Sequence, residues 1–163
     1  MVRKLVLLDR DGIINQERGE YTFRKEDFSF VNGILEAAKV FYEAHYQIII
    51  ISNQGGISKG IYQKENVLEL DNVIRKTFVE KGIKVLDSFY CPHYTENENC
   101  LCRKPKSLLL ERALAKHGFL AKNAIFIGDS ERDKKAGESI GIKSILVEAN
   151  SSILNLSKKL IHE

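Results

Sequence analysis

The chain is poor in cysteine, and its few cysteines fall together. Only three occur among 163 residues: Cys91, Cys100 and Cys102. An odd number confined to one short stretch excludes a disulfide framework and points to metal binding or free thiols. Long apolar runs are lacking as well, and none approaches the ~20 residues that span a bilayer. The basic start Met1-Val2-Arg3-Lys4 is followed by an apolar run that stops at Leu8, before Asp9. A secretory signal needs roughly 7–15 apolar residues, so a cytoplasmic protein is expected. Charge of one sign is also missing. With 25 Lys and Arg against 22 Asp and Glu, the net charge is only +3. No basic cluster stands out, so neither nucleic acid nor an anionic membrane is an expected partner. There is no internal repeat and no low-complexity stretch.

What remains is an ordinary globular composition, with 44% hydrophobic and 29% charged residues. At this length that predicts one domain over 1–163 around one hydrophobic core, expected to be a monomer. Four apolar runs without polar alternation read as strands buried on both faces: 4–8, 47–51, 123–127 and 143–147. A shorter strand is expected at 87–90. Helical periodicity falls between them, at 33–45, 64–81, 107–117 and 131–140, with a last helix opening at Ser151-Ser152. Alternating strands and helices predict an α/β fold with a doubly wound parallel sheet. Ligands bind such sheets beyond the carboxyl ends of the strands. Asp9, Ser52 and Asp129 each fall at such an end.

Asp9-Arg10-Asp11-Gly12 places two carboxylates two residues apart just after a strand, where Gly12 lets the chain turn. Such carboxylates repel and need a cation or a shared proton. Mg²⁺ takes oxygen ligands, and Asp129 and Asp133 in Gly-Asp-Ser-Glu-Arg-Asp could add more. Farther along, Cys91-Pro92-His93 is followed by Cys100-Leu101-Cys102. The pattern C-x-H-x₆-C-x-C uses every cysteine and brackets a polar loop. Three thiolates and one imidazole, from Cys91, His93, Cys100 and Cys102, suit a closed tetrahedral Zn²⁺ site of structural type. His45, His117 and His162 are given no role.

The order of motifs resembles the haloacid dehalogenase (HAD) superfamily of phosphatases. Its Asp-x-Asp-Gly motif matches Asp9 to Gly12, and its Ser or Thr at the next core strand's end matches Ser52. Its Lys matches Lys104, and its Gly-Asp-x-x-x-Asp matches Gly128 to Asp133. The family residue after the first Gly is usually Thr; here it is Ile13. The resemblance implies a HAD-like Rossmannoid phosphatase in which Asp9 is the nucleophile and Asp11 the general acid and base. It implies Mg²⁺ held by Asp9, the Asp11 carbonyl and Asp129, with Asp133 orienting Lys104 or a metal-bound water. Ser52 and Lys104 would hold phosphoryl oxygens. The C-x-H…C-x-C-R-K-P pattern narrows the resemblance to the branch containing the heptose-bisphosphate and histidinol-phosphate phosphatases. There Arg103 would meet the substrate's distal groups, and Asn53 would belong to the phosphate-binding loop. The loop Asn53 to Gly60 is similar to the heptose enzymes, and the segment Ser107 to Arg112 to the histidinol-phosphate ones; the former is favoured.

Only about 20 residues separate Gly12 from Gly33, too few for a globular cap, so a capless enzyme for a phosphorylated small molecule is expected. Two readings from other classes fit less well. A receiver domain would carry its phosphoacceptor Asp on a later strand than the acidic pair, and no lone Asp ends the run at 47–51. A zinc-based nucleic-acid module would want a basic, aromatic surface, whereas the loop inside the cysteines carries Glu96 and Glu98.

Overall fold

Leu5, Val6, Leu7 and Leu8 offer no polar side chain to turn toward water, so a strand here must be covered on both faces. In the computed structural model, which describes residues 2–163, they form the middle of β1 (Lys4–Asp9) and are fully buried. β2 (Tyr46–Asn53) and β4 (Ala124–Gly128) flank β1 in parallel. β3 (Val85–Cys91) pairs outside β2, and β5 (Lys143–Leu146) outside β4. The strand order is β3-β2-β1-β4-β5. Between the strands run α1 (Ile34–Glu43), α2 (Lys64–Glu80), α3 (Leu108–His117) and α4 (Glu131–Glu138), with α5 (Leu154–Leu160) last. The expected doubly wound parallel sheet is present.

Strand side chains alternate between faces, and the core divides accordingly. Val6, Leu8, Ile48, Ile50 and Ile127 face one way, packed with Phe41 of α1, Ile74 and Phe78 of α2 and Leu160 of α5. Leu5, Leu7, Ile49, Ile51 and Phe126 face the other, packed with Leu109, Leu110 and Ala113 of α3 and Ala136 of α4. Ile13, which stands where the resembling family has Thr, is fully buried in the first layer. Its methyl groups pack where a hydroxyl would need a partner.

One expectation is corrected. The run at 143–147 reads as a doubly buried strand, yet Lys143 and Leu146 of β5 are exposed. β5 is an edge strand, with β4 on one side and solvent on the other. Its lysine stands at an edge, where charge discourages further pairing. The last helix also begins later than expected, at Leu154, because the Ser152 hydroxyl accepts the Leu154 N–H (3.3 Å) before the helix starts.

The chain runs outward from β1 through β2 to β3, then returns to β4 on the opposite side of β1. This reversal opens a crevice beyond the carboxyl ends of β1 and β4. The register pairs Leu8 with Ile127, so Asp9 and Asp129 leave the sheet side by side. Between β1 and α1 the only helical element is a 3-10 turn at Lys25–Asp27. The crevice therefore carries no globular cap. No described helix is long and apolar enough to cross a membrane.

Phe78 is fully buried between α2 and the sheet, with its ring 6.4 Å from that of Phe30. Phe78→Ala should lower the unfolding free energy by about 3–5 kcal/mol through lost burial and the cavity left behind. Leu68, half exposed on the same helix, should cost at most about 0.5 kcal/mol as Ala. Equilibrium urea unfolding of the two variants measures the contrast.

Candidate active site

The cleft beyond the β1 and β4 ends is lined by Asp9, Asp11, Asn53, Lys104, Asp129 and Asp133, among others. Lys104 is its only buried lysine, 3% exposed, and its ammonium lies between two acids. Nζ stands 2.8 Å from Asp9 Oδ1 and 2.6 Å from Asp133 Oδ1. Asp9 Oδ1 also accepts the Arg10 backbone N–H at 2.9 Å. Asp9 Oδ1 is thus engaged by both a side-chain and a backbone donor.

Asp133 is committed through both oxygens. Ser130 caps α4, and Asp133 is the third residue of that capping box. Its Oδ2 accepts the backbone N–H groups of Asp129 (3.1 Å) and Ser130 (3.2 Å), while Oδ1 meets Lys104. Orienting Lys104 is the role this geometry suits. Gly128 makes room for it: a Cβ there would lie 2.3 Å from Asp133 Oδ2. Gly12 does the same for Asp129. Its φ is +91°, and a Cβ would stand 2.0 Å from Asp129 Oδ2.

Burial pushes the Asp9 carboxyl well above its usual range, with Lys104 only partly offsetting it and Asp133 and Asp129 adding repulsion. Burial also raises Asp129, against a hydrogen bond shared with Asp9. Asp133 is held low: burial opposes its charge, but Lys104 and the Ser130 donors outweigh that. Three carboxylates this close repel one another and need counter-charge beyond Lys104. A divalent cation meets the same need, and oxygens of Asp9, Asp129 and Asp133 lie within 4.8 Å of one another. The donor set, all carboxylate oxygen, fits Mg²⁺.

The Asp11 side chain turns aside from that cluster. Its Oδ1 accepts Arg10 Nη2 (2.9 Å) and Asn15 Nδ2 (3.0 Å), and its Oδ2 accepts Gln54 Nε2 (3.1 Å). Both carboxylate oxygens of Asp11 are thus engaged by neighbouring side chains. Arg10 itself is buried, held by Thr22 O at 2.8 Å. Ser52 is buried beneath the cleft, its hydroxyl taking Gln54 Nε2 at 3.3 Å, and it lines a second cavity of about 220 Å³ with Arg10. The Asn53 amide has a task the sequence did not disclose. It donates to the Lys104 carbonyl (3.1 Å) and accepts the Lys104 N–H (3.0 Å), clamping that residue from 51 positions away. Arg103 lies on the cleft wall, with Nη1 donating to His93 O at 3.1 Å. Glu17, Glu20 and Thr22 also line the cleft; nothing in the sequence singled them out. Gln54 went unassigned too, although a polar Asn-Gln pair directly after a strand-end serine was a signal for it.

Cys91, His93, Cys100 and Cys102 converge beside Arg103, with one ligand atom of each within 4.8 Å of the others. Cys91 Sγ lies 3.8 Å from Cys100 Sγ and 3.5 Å from His93 Nδ1. Zn–S bonds of about 2.3 Å and Zn–N of about 2.0 Å give tetrahedral edges of about 3.8 and 3.5 Å. Cys102 sits closer, 3.1 Å from Cys91 and 3.2 Å from His93. His93 Nε2 points outward to Glu98 Oε2 at 3.3 Å. A carboxylate on the outer nitrogen leaves Nδ1 free as a ligand. Burial drives the Cys91 thiol up, and Cys102 adds to it. So many thiols ionise together only around a cation, and the residues fit zinc.

A family model described as HAD-hydrolase-like matches residues 101–153. A D-glycero-alpha-D-manno-heptose-1,7-bisphosphate 7-phosphatase of Photorhabdus laumondii is 38% identical over 145 residues, 85% of this chain and 79% of the relative. A D-glycero-beta-D-manno-heptose-1,7-bisphosphate 7-phosphatase of Helicobacter pylori is also 38% identical over 145 residues, covering 88% and 83%. Among solved structures, a D,D-heptose 1,7-bisphosphate phosphatase from B. bronchiseptica, complexed with magnesium and phosphate, superposes with a TM-score of 0.85. It is 24% identical and covers 96% of this chain and 86% of its own, a likeness of fold.

Asp133→Ala leaves Asp9 as the one acidic partner of the buried Lys104 ammonium and removes the α4 capping carboxylate. It should cost about 3–5 kcal/mol of stability, the penalty for breaking a buried pair from one side. Exposed Glu131→Ala, two residues earlier, should cost at most about 0.5 kcal/mol. Denaturant unfolding without added metal compares them.

Proposed function

The chain belongs to the HAD-like phosphatase family that includes the heptose-1,7-bisphosphate 7-phosphatases, and from that membership we propose that it removes the 7-phosphate of a D-glycero-D-manno-heptose 1,7-bisphosphate through a phosphoaspartate on Asp9. The observation that carries the reading is Asp9 itself. It ends the central strand and lines the cleft, with Oδ1 held 2.8 Å from Lys104 Nζ. Relatives named for the alpha and the beta anomer are equally similar, so the proposal covers both.

Mg²⁺, on Asp9, Asp129 and the Asp11 carbonyl, would offset repulsion between carboxylate and phosphate as negative charge builds at the transferring group. Asp9 attacks phosphorus in line, and Lys104 neutralises charge on a phosphoryl oxygen. Asp11 donates a proton to the departing sugar oxygen. It then takes one from the water that attacks the phosphoaspartate, returning Asp9 as carboxylate. Asp133 and Asn53 position Lys104. Backbone N–H groups after Ser52 and the Arg103 guanidinium are the donors proposed for the substrate's phosphates, with Ser52 bracing Gln54 from below. Zn²⁺, on Cys91, His93, Cys100 and Cys102, would tie the polar loop to β3 and fix where Arg103 and Lys104 emerge. The proposed setting is the cytoplasm, where thiolates remain reduced and available to zinc.

Three outcomes check this reading. Asp9→Asn should abolish phosphate release, and Asp11→Asn should lower it by about 10²–10⁴-fold, the usual worth of a general acid. The wild-type protein should release one phosphate from heptose 1,7-bisphosphate and then stop. Faster release from histidinol phosphate than from either heptose anomer would overturn the substrate assignment. Elemental analysis of protein purified without chelators should find about one zinc per chain, lost in Cys100→Ser.

A further inference from the structure

Behind Asp11 lies a short buried relay that the mechanism above does not use. Gln54, 2% exposed, donates through Nε2 to Asp11 Oδ2 at 3.1 Å. Its Oε1 accepts the Tyr62 hydroxyl at 2.6 Å. Tyr62 is itself only 4% exposed. Its ring stacks on Phe23 at 5.1 Å and meets Tyr21 edge-on at 5.7 Å. On the other side it occupies the space a side chain at position 56 would need, for a Cβ on Gly56 would lie 2.1 Å from the ring. Tyr62 is therefore fixed, and its hydroxyl has Gln54 as partner.

We infer that Tyr62, acting through Gln54, is a positioning device that keeps the Asp11 proton aimed at the leaving group. The inference rests on Asp11 being the general acid. An amide presents one donor end and one acceptor end, and a rotation of its plane exchanges them. Tyr62 supplies a proton to the oxygen end, which turns the nitrogen end toward Asp11. Burial raises the Tyr62 phenol far above its usual range, so it stays protonated and able to donate to Oε1. Were the amide reversed, Oε1 would face Asp11 Oδ2. A protonated Asp11 would then donate into Gln54 and not to the substrate oxygen. Oδ1 is already occupied by Arg10 and Asn15, so Oδ2 is where the shuttled proton resides. When Asp11 is ionised after the first transfer, Gln54 N–H steadies the carboxylate that next takes a proton from water. In the first transfer the Asp9–phosphorus bond forms, the bond from phosphorus to the sugar oxygen breaks, and the Asp11 proton goes to that oxygen.

The test exploits leaving-group chemistry. A sugar alkoxide needs a proton to depart, whereas 4-nitrophenolate leaves without one. kcat/KM reports only steps through the first phosphoryl transfer, so the two substrates are compared on it. In Tyr62→Phe, which keeps the ring stack, kcat/KM for the sugar phosphate should fall about tenfold. The value for 4-nitrophenyl phosphate should stay within about threefold, and KM for both should change little. In Gln54→Leu the loss should be at least about tenfold larger for the sugar phosphate than for the aryl ester. Equal losses on both substrates would mean a general structural role, and no loss on the sugar phosphate would mean no role; either result overturns the inference. Circular dichroism establishes that each variant is folded, and Tyr62→Phe carries the test if Gln54→Leu is not. Absence of phosphate release from both substrates in the unaltered protein would instead defeat the phosphatase reading, and with it the role assigned to Asp11.

Discussion

A single buried ammonium group organises this end of the molecule. Lys104 Nζ is shared between Asp9 and Asp133, and the side chain is almost wholly withdrawn from water. Taking such charges out of water costs several kcal/mol per ion, recovered only where geometry and hydrogen bonds are good. The surroundings supply that geometry. Asn53 grips the Lys104 backbone from the end of β2, and Asp133 arrives on a capping box at the start of α4. Glycines at 12 and 128 let the acids approach to distances a side chain would forbid. Burial raises Lys104's cost as an ion, yet the two acids more than offset it and hold it charged.

The same group explains why a cysteine-rich clip belongs next to the cleft. Lys104 emerges two residues after Cys102, on a polar segment with little apolar surface of its own. Ordering such a segment costs about 1–2 kcal/mol per residue in backbone entropy alone. Cys91 anchors the clip to the end of β3, where it pairs with Asn53 of β2. Anchor and clamp thus lie on adjacent strand ends. A metal tying 91 to 100 and 102 would fix the approach of Arg103 and Lys104 without a larger core. The open cleft follows from the short β1–α1 connection, and suits a substrate with a second phosphate reaching beyond the crevice.

The sheet was readable because both faces of its inner strands are covered, which writes them as unbroken runs of Leu and Ile. Asp9 and Asp129 were readable because the polar residue that ends such a run must lie at the crevice. The convergence of Cys91, His93, Cys100 and Cys102 was readable because every cysteine falls in one pattern. What escaped depends on the third dimension. An apolar run at 143–147 looks the same whether it becomes a central strand or an edge. Asn53 reads as a loop residue near phosphate until its amide is seen closing on Lys104. Tyr62 reads as the polar-tipped residue before a helix, and nothing in its spacing announces a hydroxyl buried against Gln54. Such contacts join segments distant in sequence, and each is decided by packing.

The central claim is that Asp9 carries the phosphoryl group during turnover. It is tested most directly by quenching the enzyme in acid during hydrolysis and reducing with borohydride, which converts an aspartyl phosphate to homoserine. Peptide mass spectrometry should then find homoserine at position 9, dependent on substrate and confined to that residue. Steady turnover with Asp9 unmodified, or with the label at Asp11 or Asp129, would contradict the account.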